Sequence, residues 1–326
     1  MKKQADPQNK LPPAAEKAQL QKKNERWATA GILLITVIWG WGFVFSRMAL
    51  NAGLGPAGVM FGRFGLAAVL IGLVFFKDLR RQYRPGQWKS GLLIGVFLFL
   101  GFYLQILGLE RTTPANNAFI TATYVVLVPL LWWAITKRRP RNILFVASVL
   151  SLVGVAVLSV DPSAGFSASL GDGLTLLSAL MFACQIVATG ILARTMAPSV
   201  LVFMQMLVAG VLSFLLFVLV ERDFSGFANL EGAASVLYLG ILSTCVCYFI
   251  QTIAQRHLSS AKAGILLATE SLFGALFSVL VGYDQFSVRM VVGGTIMFAS
   301  MVLPELGRPP AATPPEDPPT PPGREA

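Results

Sequence analysis

Ten stretches of about 20 mainly apolar residues follow one another along the chain, and they limit its fold more than any other feature does. A stretch of this length crosses a hydrocarbon layer of roughly 30 Å as an α-helix, which satisfies its backbone polar groups internally. Charged residues make up only 13% of the sequence, and the links between the stretches are too short for a water-soluble domain. The sequence therefore predicts an all-α integral membrane protein with ten transmembrane helices. The predicted spans 1 to 10 cover residues 29–50, 56–76, 88–109, 115–136, 143–160, 172–193, 198–220, 232–254, 262–282 and 288–306.

Basic residues are concentrated in every other link between the spans. They lie before span 1, between spans 2 and 3 and between spans 4 and 5, whereas the links 161–171 and 221–231 are neutral or acidic. Because Lys and Arg are enriched on the cytoplasmic side of membrane proteins, both termini are predicted to be cytoplasmic, in the inner or plasma membrane of the cell. A nucleic-acid partner is not expected despite the net charge of +10, since the basic residues are not interleaved with aromatics on one surface.

The two halves of the chain share a weak internal repeat. Residues 112–131 align with 258–277, with Thr123 over Thr269, and Trp39-Gly40 aligns with Phe182-Ala183 at a similar offset. Five spans per half is an odd number, so the second half is predicted to enter the membrane from the opposite side. The predicted units are a cytoplasmic basic tail 1–27, five-helix repeats 28–160 and 161–306, and a disordered proline-rich cytoplasmic tail 307–326.

Four segments resemble the drug/metabolite transporter superfamily, and in particular its EamA branch. They are WGWGFVFSRMAL (39–50), RFGLAAVLIG (63–72), NNAFITATYVVLVPLL (116–131) and ATESLFGALFSVLVGYDQFS (268–287). The resemblance implies ten helices in two inverted five-helix repeats, and export or exchange of small organic metabolites such as amino acids. Asp284 stands where the family usually has a Gly-Glu pair, and Lys137-Arg138-Arg139 replaces an acid after span 4.

Glu270 and Arg63 are the clearest ionisable residues within the spans, where a charge costs about 2.5–3.5 kcal/mol on insertion scales. At ~1.5 Å per residue, Glu270 lies about 12 Å from the cytoplasmic face and Arg63 about 10 Å from the outer face. In a roughly 30 Å layer, about 8 Å then separates them along the membrane normal. One interpretation places both in a central cavity, where Arg63 attracts a carboxylate and Glu270 attracts an ammonium group or carries a proton. The alternatives are a buried ion pair, a protonated Glu270 bonded to a neighbouring helix, and an Arg63 that extends to the outer interface.

Uncharged polar residues at similar depths complete the candidate substrate site. Asn117, Thr121 and Tyr124 of span 4 are spaced by four and three residues, so they share one helix face that is predicted to turn away from lipid. Hydrogen bonding between packed helices is the alternative role for this face. Pro129 predicts a kink in the same span. The remaining candidates are Gln105 on span 3, Gln185 on span 6, Gln251 on span 8 and, as an aromatic wall, Trp39 on span 1.

These features favour a secondary transporter that binds a small molecule at mid-membrane and works by alternating access, with protons as a candidate coupling ion. A flippase for lipid-linked intermediates and a substrate sensor on the same scaffold stay open. An enzyme is not expected, because the single histidine, His257, has no partner constellation, and no catalytic residue, metal or cofactor is predicted. Both repeats come from one chain, so a monomer would suffice, and a dimer stays open.

Overall fold

The computed structural model describes residues 14–159 and 169–306, and the proline-rich tail 307–326 that was predicted to be disordered lies outside these ranges. All regular secondary structure within them is helical. Eight helices are long and apolar enough to cross a membrane, and two shorter apolar helices lie at the predicted spans 5 and 10. The prediction of an all-α membrane protein is therefore confirmed.

The helix ends lie within two residues of the predicted span ends, with one exception. The first helix begins at Ala14, well before span 1, because the polar residues that precede the span are mostly good helix formers. The helices are α1 (Ala14–Asn51), α2 (Pro56–Val74), α3 (Phe76–Gln82), α4 (Gln87–Leu109), α5 (Pro114–Thr121), α6 (Tyr124–Thr136), α7 (Asn142–Ser159), α8 (Leu170–Leu192), α9 (Pro198–Leu216), α10 (Ser225–Ala228), α11 (Leu230–Leu237), α12 (Cys247–Ala254), α13 (Ser260–Leu267), α14 (Glu270–Val281) and α15 (Val288–Leu306). Two π-helical segments, Phe217–Glu221 and Tyr238–Val246, extend α9 and join α11 to α12.

Two of the membrane-length segments are interrupted near their middle. The first break separates α5 from α6 and the second separates α13 from α14, so that Tyr124 and Glu270 each begin a half-helix. The two segments also begin alike, since the Thr113 hydroxyl accepts from the N–H of Asn116 and the Ser259 hydroxyl accepts from that of Lys262, both at 3.2 Å. Thr113 and Ser259 are equivalent in the alignment of 112–131 with 258–277.

The break in span 4 does not lie where Pro129 predicts it. Pro129 lies inside the continuous helix α6, and the break precedes it by six residues. Backbone bonds to the third preceding residue mark each break, from Val125 N–H to Ala122 O (3.0 Å) and from Ser271 N–H to Ala268 O (3.2 Å). The second break has no proline in its segment, so proline cannot be the shared cause.

The long helices pack in pairs around the centre of the molecule. Helix α4 lies along α8, α2 along α9, α7 along α15, and α1 along α14 and α12. We call the side where α1 begins, and where α2 connects to α4 and α6 to α7, the basic face, because those links carry the Lys and Arg residues. The other side is the opposite face.

The N-terminus of α2 is capped by a side chain from another helix. The Glu221 carboxylate, at the end of the π-helical extension of α9, accepts from the backbone N–H groups of Ala57 and Gly58, both at 2.7 Å. A Cβ on Gly55 would lie 2.4 Å from the Glu221 carboxyl carbon, so a larger residue there would displace the carboxylate from its capping position. Glu221 therefore satisfies two unpaired donors of α2 and holds α2 against α9.

We expect Glu221→Ala to destabilise the folded protein by about 2–3 kcal/mol, because two charge-assisted hydrogen bonds are lost. Glu231→Ala is the matched control, since Glu231 is exposed in the first turn of α11. Thermal unfolding in detergent, followed by circular dichroism, measures both. Equal midpoints for the two variants would contradict the capping role of Glu221.

Candidate substrate-binding site

A narrow cavity of about 40 Å³ lies among the central helices, with room for a few water molecules but too small for an organic solute until the surrounding helices move apart. Of the nine predicted site residues, the eight that line it are Glu270, Arg63, Tyr124, Asn117, Gln105, Gln185, Gln251 and Trp39. Thr121 lies behind this lining, where its Oγ1 accepts from Gln105 Nε2 at 3.1 Å. The structure thus brings together residues from both halves of the chain.

Glu270 is a buried carboxylate held by one hydrogen bond. Its side chain is only 6% exposed, and the Tyr124 hydroxyl donates to Oε1 at 3.1 Å. The residue stands in the first turn of α14, where the helix dipole favours a negative charge. Within the described residues, the second oxygen, Oε2, has no hydrogen-bond partner, so it remains able to accept from a bound solute.

Arg63 lies inside the protein rather than at the interface. It is 2% exposed, and its Nε and Nη2 donate to Thr244 Oγ1 (3.0 Å) and Ser243 Oγ (3.2 Å). The guanidinium carbon lies 3.9 Å from the centre of the Phe102 ring, close enough for a cation–π interaction. An Arg63 that extends to the outer interface is therefore excluded. In the described part of the chain, no salt bridge joins Arg63 to Glu270, so each of the two side chains is held by its own partners.

Two aromatic pairs form walls of the cavity. The Trp39 and Tyr248 rings lie 5.2 Å apart between centroids, and those of Phe102 and Phe182 lie 4.9 Å apart. Trp39 Nε1 also donates to the backbone oxygen of Ser243 at 2.6 Å. Ser243 belongs to a π-helical segment, and such segments are frequent at functional sites. Trp39 is thus both a wall and a structural link.

The lining residues missing from the sequence prediction include Phe102, Phe182, Ser243 and Tyr248. Signals for three of them existed in the sequence. Phe182 aligns with Trp39, and Phe102 and Tyr248 each precede a predicted glutamine by three residues, which places them on the same helix face. Ser243 gave no such signal, because it depends on the local π-helical geometry.

The amide side chains of the site differ in how well they are bonded. Asn117 Nδ2 donates to Thr175 Oγ1 at 2.9 Å, and Gln185 Nε2 donates to Gln205 Oε1 at 3.3 Å. Both side chains therefore also form hydrogen bonds between packed helices, which is the alternative role that the sequence left open for the polar face of span 4. The amide of Gln251 has no hydrogen-bond partner in residues 14–159 and 169–306, although Gln251 is completely buried.

Hydrogen bonds and close packing seal the cavity on the side of the basic face. Gln255 Nε2 donates to the backbone oxygen of Ile186 at 2.9 Å, which links α12 to α8 directly beyond the cavity. A Cβ on Gly190 would lie 2.0 Å from Ser260 Oγ, so the Ser260 side chain of α13 packs directly against the backbone of α8. The cavity lining extends instead toward the opposite face, as far as Ser46.

Comparison with known proteins agrees with this architecture. The model of the EamA-like transporter family matches the chain twice, over residues 26–160 and 169–304. An uncharacterized transporter of Archaeoglobus fulgidus is 30% identical over 280 residues, covering 85% of each chain. The uncharacterized transporter YwfM of Bacillus subtilis is 26% identical over 252 residues, covering 74% of this chain and 82% of its own.

A solved crystal structure supports the fold independently. It superposes with a TM-score of 0.66 at 20% identity, covering 85% of this chain and 97% of its own. At this level of identity the likeness concerns the fold alone. The family matches together span most of the sequence, and the relatives align over most of their length. The chain belongs to the EamA-like transporter family.

Proposed function

We propose that this protein is a secondary transporter of small zwitterionic metabolites such as amino acids, and that it exports or exchanges them by alternating access. The observation that carries the proposal is the separation of Arg63 from Glu270 in one cavity. If Arg63 and Glu270 formed an ion pair with each other, neither charge would be available to a substrate. Two separate opposite charges instead match the carboxylate and the ammonium group of a zwitterion, and aromatic walls suit the apolar part of such a molecule.

We further propose ten transmembrane helices in two inverted five-helix repeats, 28–160 and 161–306, with both termini cytoplasmic in the inner or plasma membrane. The two separate matches of the family model support the division. So do the equivalent N-terminal caps and the equivalent helix breaks, which are offset by 146 residues. Under this topology the basic face is cytoplasmic, and the structure corresponds to a state closed toward the cytoplasm. One chain supplies the whole cavity, so a monomer suffices.

Proton coupling through Glu270 is part of the proposal. A carboxylate within a membrane-embedded cavity is typical of proton relays in transporters. Oε2 faces no partner in the described structure, and Oε1 keeps the carboxylate oriented through Tyr124. A proton and a substrate ammonium group would therefore compete for the same oxygen, which couples their movements.

A flippase for lipid-linked intermediates is less well supported. Such a protein needs a cavity that opens sideways to lipid and carries basic groups. A lateral groove lies between α2, α3 and α9, with Arg80 among its lining residues. However, it shares no lining residue with the central cavity, where Arg63 and Glu270 lie. A lipid head group in the groove would therefore not have Arg63 or Glu270 among the lining residues of its own site.

Flux through the purified protein in liposomes tests the proposal, with a panel of labelled amino acids, amines and sugars and with or without an imposed pH gradient. We expect saturable flux of amino acids. Flux confined to sugars, or no flux from folded protein, would contradict the proposed substrate class.

Substitution of Arg63 tests its role within the same assay. We expect Arg63→Ala to weaken L-leucine transport by about 30-fold or more, because a buried partner of the substrate carboxylate is lost. Transport of isopentylamine, which lacks the carboxylate, should change far less. Arg80→Ala is the matched control, since Arg80 lines the lateral groove. Equal losses for the amine and the amino acid would make Arg63 structural.

A further inference from the structure

Gln251 is a buried amide that faces the central cavity. The side chain is 0% exposed and lines the cavity. Among the described residues, neither Oε1 nor Nε2 has a hydrogen-bond partner. Because a buried amide without partners costs about 1–3 kcal/mol, its presence requires a compensating role.

The equivalent glutamine in the first half of the chain is bonded. Gln105 lies 146 residues before Gln251, and its Nε2 donates to Thr121 Oγ1 at 3.1 Å. The residue that lies 146 positions after Thr121 is Leu267, whose side chain has no polar group. The second half therefore keeps the glutamine but lacks the hydroxyl that satisfies it in the first half.

We propose that Gln251 is a specificity-determining residue that binds a neutral amide on the substrate, so that the preferred substrates are amino acids with a carboxamide side chain. This inference rests on the proposed function. A primary amide presents an acceptor and a donor side by side, and another primary amide complements both at once. Arg63 and Glu270 bind the carboxylate and the ammonium group of the substrate, and Gln251 binds the amide of its side chain. A site built to bond a polar group rejects a substrate that lacks it, because its own groups are then left unpaired.

The test compares L-glutamine with L-methionine, which has similar length but no amide, in liposome transport and in thermal stabilisation of the purified protein. We expect the wild-type protein to prefer L-glutamine by at least about tenfold. Gln251→Met should remove this preference while L-methionine is still carried. The free variant should be as stable as the wild type or more so, because the substitution breaks no hydrogen bond.

Two further variants separate recognition from packing. Gln105→Met removes a bonded glutamine, so it should lower the unfolding midpoint where Gln251→Met does not. Thr252→Val is the matched control, because Thr252 is buried on the same helix, has no hydrogen-bond partner among the residues that the structure describes and does not line the cavity. The substrate preference of this variant should be unchanged. Equal handling of both amino acids by the wild type, or a midpoint for Gln251→Met as low as that for Gln105→Met, would overturn the assignment of Gln251 alone. Failure of both amino acids to bind or move would overturn the proposed function as well.

Discussion

Replacing Glu270 with glutamine is expected to abolish proton-driven transport while the protein remains folded in the membrane. The amide oxygen of glutamine still accepts the hydrogen bond that Tyr124 donates at 3.1 Å, so the contact between α6 and α14 is kept. What disappears is the negative charge that we propose to attract an ammonium group and to carry the proton. Loss of a buried charged partner costs about 2 kcal/mol or more, which corresponds to at least about a 30-fold loss of flux.

The measurement is uptake into liposomes at a series of pH values, with and without a pH gradient. Tyr124→Phe is the informative comparison, since it removes the hydrogen bond to Glu270 but keeps the carboxylate. We expect this variant to retain gradient-dependent flux at a reduced rate. Unchanged transport by Glu270→Gln at every pH would remove Glu270 from the mechanism.

Substituting alanine for Gly40 should prevent α1 from packing against α14. A Cβ at this position would lie 2.5 Å from the Cβ of Phe273 and 2.9 Å from the backbone nitrogen of Gly274. These atoms belong to the backbone or are fixed to it, so no side-chain rotation relieves the clash. Overpacking of this kind costs about 3 kcal/mol, far more than the gain in helix propensity of up to about 1 kcal/mol. Since α1 and α14 carry Trp39 and Glu270, the cavity should be disrupted too.

Gly173→Ala is the matched control for this prediction. Gly173 also lies within a helix, α8, but a Cβ there meets nothing within 4 Å. We expect Gly40→Ala to lower both the yield of monodisperse protein and the unfolding midpoint, and Gly173→Ala to leave both unchanged or slightly raised. Similar behaviour of the two variants would show that the close approach at Gly40 is not required.

The sequence was sufficient to predict where the apolar helices lie and most of the polar lining of the cavity. Apolar length determines where helices cross a membrane, and the cost of burying polar groups limits Glu270, Arg63 and the glutamines to protein-facing positions. The same reasoning could not predict that Gln105 lies between Thr121 and the cavity. A shared helix face shows which residues point inward, but it does not show which of them line the cavity. That arrangement depends on how α4 and α5 pack.

Other features depended on tertiary geometry and could not be predicted from sequence patterns. Arg63 looked long enough to reach the interface, but it turns inward because the π-helical segment presents Ser243 and Thr244 to it. Pro129 was the obvious signal for a bend, yet the break lies before it. Ser243 lines the cavity only because of the local π-helical geometry, and no sequence pattern marked it.

The hydrogen bond between Tyr124 and Glu270 has a consequence for the origin of the chain. The two residues are 146 positions apart, the offset that relates the two halves, so under the proposed repeat they lie on the pseudo-twofold axis. In an ancestral dimer of identical five-helix chains, one residue type would have met its own copy there. Two glutamates would repel each other unless they shared a proton, and two tyrosines would offer no charge. Once the two halves could differ in sequence, a phenol could face a carboxylate at this point, so their divergence made a single, oriented acid at the centre of the protein available to selection.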